Sequence, residues 1–174
     1  MIHHLFAGFL VLGSLLLSAL DAAAAELVIS KGNRRLEYKD GGLTRVFPIG
    51  LGATPAGKKL RKNDQKTPEG LYYITHKNTD SKFNLSLGIS YPNLNDARAG
   101  FRSGLISKAE YAAIEKALLL GHLPPQQTAL GGDISIHGNG AENDWTRGCI
   151  ALDDNDMKFL FEHVQVGDMV TVLK

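Results

Sequence analysis

Residues 134–152 read ISIHGNGAENDWTRGCIAL, and this stretch decides how the sequence folds around its reactive side chains. Ile134 and Ile136 alternate with polar residues, which predicts a short strand with one apolar face. Ser135 and His137 then lie on the opposite face, because side chains two residues apart on a strand point the same way. We therefore expect His137 to be turned away from the hydrophobic core, at the end of its strand.

Cys149 begins a second predicted strand, in which Ile150 and Leu152 supply the apolar face. By the same alternation Cys149 points away from the core, and the loop formed by residues 138–148 can bring it beside His137. The sequence thus predicts a thiol and an imidazole at one cleft.

A thiol and an imidazole at one cleft are suited to nucleophilic acyl transfer. The imidazole of His137 can accept the thiol proton and later donate it to a leaving amine. We expect the backbone amides of Gly148 and Cys149 to form an oxyanion hole, with Arg147 adding positive charge beside it. No local carboxylate is available to orient His137, so the backbone carbonyl of Gly138 is expected to do so. Cys149 is the only cysteine of 174 residues, so it has no partner for an intramolecular disulfide.

Residues 1–25 have the composition of a signal peptide. Residues 5–20 form an uncharged run rich in leucine, and the small residues Ala23 and Ala25 supply a cleavage site before Glu26. The flank before the run carries no Lys or Arg, which leaves an uncleaved inner-membrane anchor as the alternative. The run is short for a membrane span, so cleavage and export to the periplasm are the preferred interpretation.

Residues 26–174 are predicted to form one domain that is mostly β, of mixed α+β class. Besides the two strands described above, alternating segments bounded by turn residues predict strands at 27–29, 35–38, 43–49, 71–75, 83–91 and 168–173. One helix is predicted at 107–120, inside an insertion between sheet segments, where Ser107 and Glu110 can form a capping box. A second helix is predicted after the cysteine strand, over residues 153–163.

Other classes of site have little support in the residues. The predicted mature chain has a net charge of +2, too balanced to indicate a nucleic-acid partner. Residues 52–58 begin like a phosphate-binding loop, but Lys59 stands where the magnesium-binding hydroxyl is needed, so no nucleotide is predicted. No HExxH motif or close pair of ligands accompanies His137 and Cys149, so neither a metal nor another cofactor is predicted.

Three further features have roles that stay open. Tyr91 either lines the cleft or fills a pocket at the end of its strand. Trp145 is interpreted as loop packing in preference to a platform for substrate. Residues 95–130, which include the inserted helix, are a candidate lid or a candidate wall for the acceptor.

Together these segments resemble the L,D-transpeptidases with a YkuD-type catalytic domain, and the YafK-like branch among them. The resemblance rests on Ile136-His137-Gly138 and on WTRGCIAL at 145–152, and it extends upstream to TPEG at 67–70 and SLGISYPN at 86–93. It implies a YkuD-like β-sandwich domain with Cys149 as the acylated nucleophile and His137 as the base. The residues expected to bind the oxyanion or the substrate are Gly148, Arg147, Gly138, Thr146 and Tyr91.

The same resemblance implies a substrate and leaves alternatives for the reaction. The substrate would be the peptidoglycan stem peptide, transferred from a thioester on Cys149 to an amine by a monomeric periplasmic enzyme of cell-wall biogenesis and cell shape. The commonest family pattern has a histidine where Arg147 stands and an arginine where Ala151 stands. With the short loop before the cysteine, these departures indicate the YafK-like branch, some members of which hydrolyse the bond between peptidoglycan and an outer-membrane lipoprotein. Hydrolysis of such bonds is therefore the first alternative, and a non-catalytic wall-binding module is the second.

Overall fold

A computed structural model describes residues 24–174, and the predicted signal peptide lies almost entirely outside the described residues. The described part of the chain contains eight strands and three helices, which confirms the predicted mixed α+β class. Within that part, every helix is too short or too polar to cross a membrane. In chain order the elements are β1 (Glu26–Ser30), β2 (Arg35–Asp40), β3 (Leu43–Pro48), β4 (Gly70–Ser81), β5 (Asn84–Ile89), α1 (Leu94–Arg102), α2 (Lys108–Leu119), β6 (Ser135–His137), β7 (Ile150–Ala151), α3 (Asp154–His163) and β8 (Met169–Leu173).

The eight strands of the described residues form one hydrogen-bonded series in the order β3-β2-β1-β8-β4-β5-β6-β7. β8 lies in the middle, parallel to β1 and antiparallel to β4, so it joins the N-terminal meander to the later strands. Phe47 of β3 and Ile150 of β7 stand at opposite ends of this series yet belong to the same buried cluster. The sheet therefore curls around one core, into which α3 packs Met157 and Leu160.

The segment between β5 and β6 contains two helices where one was predicted. α2 matches the prediction, since Ser107 caps it and exchanges hydrogen bonds with Glu110. α1 was missed, although Asn93 and Asp96 form an equivalent capping box at its start. The two helices pack around a small second core made of Ala97, Ile106, Ile114 and Leu130.

The hairpin of β4 and β5 is longer than its sequence predicts. β4 runs from Gly70 to Ser81 and includes the polar residues 76–81, which were expected to lie outside the strand. Those residues stay extended because β5 supplies an antiparallel partner, with irregular register near both ends of the pairing. The hairpin thereby extends past the core and forms one wall of the cavity described below.

Candidate active site

β6 and β7 bring His137 and Cys149 to the same side of the sheet. The strands pair in parallel, with Ile136 opposite Ile150, and both isoleucines are fully buried in the core. Ser135, His137 and Cys149, which directly precedes β7, line one cavity of about 990 Å³ on the other side. The structure therefore unites the thiol and the imidazole in one cavity, as the alternation of residues 134–152 predicts.

Two polar groups contact the sulfur of Cys149. Its Sγ donates to the backbone carbonyl of Asp133 at 3.5 Å and accepts from the hydroxyl of Ser135 at 3.7 Å. Burial has the largest effect on this half-buried thiol and raises its pKa, while Ser135 acts in the opposite direction. The resting thiol is therefore protonated at neutral pH.

The imidazole of His137 is 1% exposed and has a fixed tautomer. Its Nδ1 lies 2.7 Å from the backbone carbonyl oxygen of Gly138, which is the orienting contact expected from the sequence. Because a carbonyl only accepts, Nδ1 carries the proton and Nε2 remains an acceptor. Burial has the largest effect and lowers the pKa of His137. The hydrogen bond to the Gly138 carbonyl raises it by less, and the charge of Lys82 lowers it by the least. The resting imidazole is therefore neutral.

Phe83 and Trp145 pack on this imidazole, and we call these two residues the aromatic clamp. The Phe83 ring stacks on the His137 ring, with centroids 4.5 Å apart and an interplanar angle of 20°. The Trp145 ring meets the imidazole edge-on at 5.6 Å and the Phe83 ring at 5.5 Å. Its Nε1 donates to the carbonyl of Gly140 at 3.1 Å, which ties the ring to its own loop. Trp145 thus packs within the loop, as the sequence suggested, and in addition lines the cavity.

The turn before Cys149 is held by Thr146. Its hydroxyl donates to the carbonyl of Cys149 at 2.8 Å and accepts from the amide of Gly148 at 3.1 Å. Gly148 has a φ of +130°, and a Cβ there would lie 2.7 Å from the carbonyl oxygen of Lys66, so only glycine fits. The Gly148 amide is consequently occupied, contrary to its expected part in an oxyanion hole. Within residues 24–174 the amide of Cys149 makes no hydrogen bond, so it remains available as a donor.

The loop that carries these residues is anchored to the N-terminal strands. The guanidinium of Arg34 binds the carboxylate of Asp144 at 2.7, 3.0 and 3.1 Å, and that carboxylate also accepts from the amide of Leu51 at 2.9 Å. Gly50 and Ala151 exchange two backbone hydrogen bonds of 2.9 Å each. These contacts hold the cysteine strand from the side opposite β6.

The other predicted site residues lie in different places. Arg147 is exposed and lines the cavity, whereas Gly138 contributes its carbonyl to His137. Tyr91 does not line the cavity: its ring is fully buried, and its hydroxyl donates to the carbonyl of Leu130 at 2.9 Å. Its prediction as a substrate-binding residue is therefore wrong, because the chain after β5 turns the ring into a strand-end pocket.

Two walls complete the cavity around the thiol. The β4–β5 hairpin supplies His76, Asp80 and Phe83, and the connection after α2, residues 123–133, faces the same space together with residues 59–63. The helices α1 and α2 are absent from the lining, so within the candidate lid at 95–130 only this connection borders the cavity. In the described part of the chain, no three His, Cys, Asp or Glu side chains are grouped as they would be around a metal ion.

Comparison with solved structures finds the same fold in several other proteins. The chain is similar to the helical cell shape determining protein Pgp2 from Campylobacter jejuni, with 25% identity and a TM-score of 0.56 over 88% of this chain and 49% of that chain. It is similar to Bd1075 from Bdellovibrio bacteriovorus, with 19% identity and a TM-score of 0.54 over 90% of this chain and 50% of that one. The L,D-transpeptidase from Mycobacterium smegmatis has 13% identity and a TM-score of 0.50, over 86% of this chain and 58% of its own. The similarities to Bd1075 and to the Mycobacterium smegmatis protein show the fold alone.

The chain spans about half the length of the first two of these structures. No match was found among the curated proteins. The family model of the L,D-transpeptidase catalytic domain, YkuD, matches residues 24–172, which include all of the sheet except the last residue of β8 and every residue that lines the cavity. The chain therefore belongs to the YkuD family of L,D-transpeptidase catalytic domains.

Proposed function

We propose that this protein is a cysteine-dependent acyltransferase, an L,D-transpeptidase that acts on the stem peptides of peptidoglycan. The observation that carries the proposal is the shared cavity of Cys149 and His137, with Nδ1 of the imidazole bound to Gly138. That hydrogen bond leaves Nε2 as the acceptor for the thiol proton. Family membership supports the class of substrate, since stem peptides are what these catalytic domains act on.

Acylation begins from the neutral pair. Nε2 of His137 takes the proton from Cys149 as the sulfur attacks the carbonyl carbon of the scissile amide. The amide of Cys149 and the guanidinium of Arg147 stabilise the oxyanion, because both have donors that are not used within the described fold. The carbon–nitrogen bond then breaks, the leaving amine takes the proton from His137, and a thioester remains on the sulfur.

Transfer to the acceptor reverses these steps. An acceptor amine attacks the thioester carbon and gives its proton to Nε2, the carbon–sulfur bond breaks, and the proton returns to the sulfur. Because the aromatic clamp covers the imidazole, the base meets solvent only through the cavity. A bound acceptor that fills the cavity excludes water from the base, which supports transfer to an amine over hydrolysis. We place this reaction in the periplasm, reached through the predicted signal peptide, and an outer-membrane lipoprotein is a candidate acceptor for the monomeric enzyme.

Mass spectrometry of peptidoglycan fragments tests the proposal. The purified protein is incubated with fragments that carry tetrapeptide stems, beside a Cys149→Ala control. We expect new cross-linked or amino-acid-exchanged products that are absent from the control. Products that contain water in place of an amine, with the same dependence on Cys149, would identify a hydrolase. Unchanged fragments with both proteins would favour a wall-binding module.

A further inference from the structure

Ser135 is bonded directly to the nucleophilic sulfur, and the sequence alone gave it no role. Its hydroxyl donates to Sγ of Cys149 at 3.7 Å. The other close polar group, the carbonyl of Asp133 at 3.5 Å, can only accept. Within residues 24–174, the Ser135 hydroxyl is therefore the side-chain donor that contacts the sulfur.

The strand pairing explains why this serine meets the cysteine. Ser135 and Cys149 each stand one residue before the Ile136–Ile150 pair of β6 and β7, and their side chains meet on the cavity side. On the other neighbouring strand Ser135 pairs with Gly88, where the ring of His76 occupies the space that a Cβ would take. In the described fold the hydroxyl makes no hydrogen bond other than the one to sulfur.

Loss of the thiol proton changes the balance of these contacts. The neutral thiol donates to the carbonyl of Asp133, but the thiolate has no proton to give, and the carbonyl dipole then faces a negative charge. Burial raises the pKa of the thiol, so water stabilises that charge less well than it does in a free cysteine. A donor already directed at the sulfur adds to this stabilisation, and the Ser135 hydroxyl provides one.

We propose that Ser135 is a further catalytic residue, whose hydroxyl donates a hydrogen bond to the Cys149 sulfur when it loses its proton to His137 and again when it leaves the thioester. The hydroxyl keeps its own proton throughout, so the general base remains His137. The catalytic part of this inference rests on the proposed function, whereas the effect on the thiol does not.

Alkylation of the protein by iodoacetamide measures the effect on the thiol. Since Cys149 is the only cysteine, mass spectrometry of the intact protein reports the rate of its alkylation at each pH without ambiguity. We expect Ser135→Ala to raise the apparent pKa of the thiol by about one unit, which is about a tenfold lower alkylation rate in the pH range where the thiol is mostly protonated. The other charged or titratable groups that line the cavity are unchanged in this variant; they are His137, Asp133, Lys59, Lys62, His76, Asp80, Lys82 and Arg147.

Matched variants separate the hydroxyl from changes in shape and fold. Ser135→Thr keeps the hydroxyl, so the Cys149 thiol is expected to titrate as it does in the wild type. Ser135→Val has nearly the same shape as Ser135→Thr but lacks the hydroxyl, and its thiol should titrate like that of Ser135→Ala. Ser86→Ala removes a serine that lines the same cavity, opposite His137 on β5, without contacting the sulfur. It is expected to leave the alkylation profile unchanged, and circular dichroism verifies the fold of each variant.

Two outcomes would overturn the inference. One is an alkylation profile of Ser135→Ala and Ser135→Val that coincides with those of Ser135→Thr and Ser86→Ala. The other is a shifted thiol pKa in Ser135→Ala together with muropeptide conversion at the wild-type rate. That result would show that Ser135 affects the thiol of the resting enzyme but has no role in catalysis. If Ser135→Ala shifts the thiol pKa but the wild-type protein converts no muropeptide, the proposed function is refuted and the effect of Ser135 on the thiol still stands.

Discussion

Replacement of Phe83 by alanine is expected to open the imidazole of His137 to water. Phe83 makes two aromatic contacts, the stack on His137 at 4.5 Å and the edge contact with Trp145 at 5.5 Å. Each such pair contributes about 0.5–1.5 kcal/mol, so the free energy of unfolding should fall by about 1–3 kcal/mol. This is less than the ~3–5 kcal/mol of a fully buried phenylalanine, because Phe83 is only half-buried.

The same substitution should raise the pKa of His137. Burial is the main reason why that pKa lies below its ordinary value, and the Phe83 ring covers one face of the imidazole. In Phe83→Ala we therefore expect the pKa to move back toward about 6.5, the value of an exposed histidine. A higher pKa protonates more of the base at neutral pH, so acyl transfer should lose rate on the acid side of its pH profile.

Titration of the histidine ring protons by NMR measures this pKa directly. The His137 resonance is assigned with His137→Gln, and Phe83→Tyr serves as the control that keeps the stacked ring. Lys82 lies 4.8 Å from the Phe83 ring and also lowers the pKa of His137, so Lys82→Gln measures the charge effect separately. An unchanged His137 pKa in a folded Phe83→Ala protein would refute the idea that this ring controls solvation of the base.

Three further predictions concern the cysteine turn, its anchor and the neutral pair. Gly148→Ala should lower both the free energy of unfolding and the rate of Cys149 alkylation, because its Cβ would lie 2.7 Å from the carbonyl oxygen of Lys66. A urea unfolding curve that coincides with that of the wild type would contradict this steric account. Asp144→Ala should cost about 1.5–3 kcal/mol of unfolding free energy, and a double-mutant cycle with Arg34→Ala that shows no coupling would contradict it. The folded pKa is depressed for His137 and raised for Cys149. Thermal stability should therefore fall as the pH drops through the pKa of His137 and as it rises through the pKa of Cys149. Cys149→Ala should reduce the alkaline fall and leave the acid fall unchanged.

The fold could be predicted where local signals were strong. The capping box of Ser107 and Glu110 predicted α2, and short apolar alternations predicted most of the strands. The same kind of box at Asn93 and Asp96 was overlooked because α1 has few apolar residues to mark it as a helix. The polar half of β4 was missed because its strand conformation depends on hydrogen bonds from β5, which local sequence does not reveal.

The candidate active site could also be predicted only in part. The alternation in residues 134–152 placed His137 and Cys149 in one cavity, because strand periodicity is a local property. It did not reveal that Phe83 stacks on the imidazole or that Arg34 anchors the cysteine loop, since these residues come from distant parts of the chain. Tyr91 shows the limit of local interpretation: residues at the end of a strand can turn either into the core or into the cleft.

The central position of β8 determines when the sheet is completed during folding. Residues 169–173 pair with β1 on one side and β4 on the other, so the two halves of the sheet share no strand until those residues have been made. Pairings between such distant parts of a chain form late, because a long loop must close before they contribute. Val170 and Val172 of β8 belong to the same buried cluster as Ile136 and Ile150, the residues that back the two reactive side chains. The core behind the site is therefore completed late in folding.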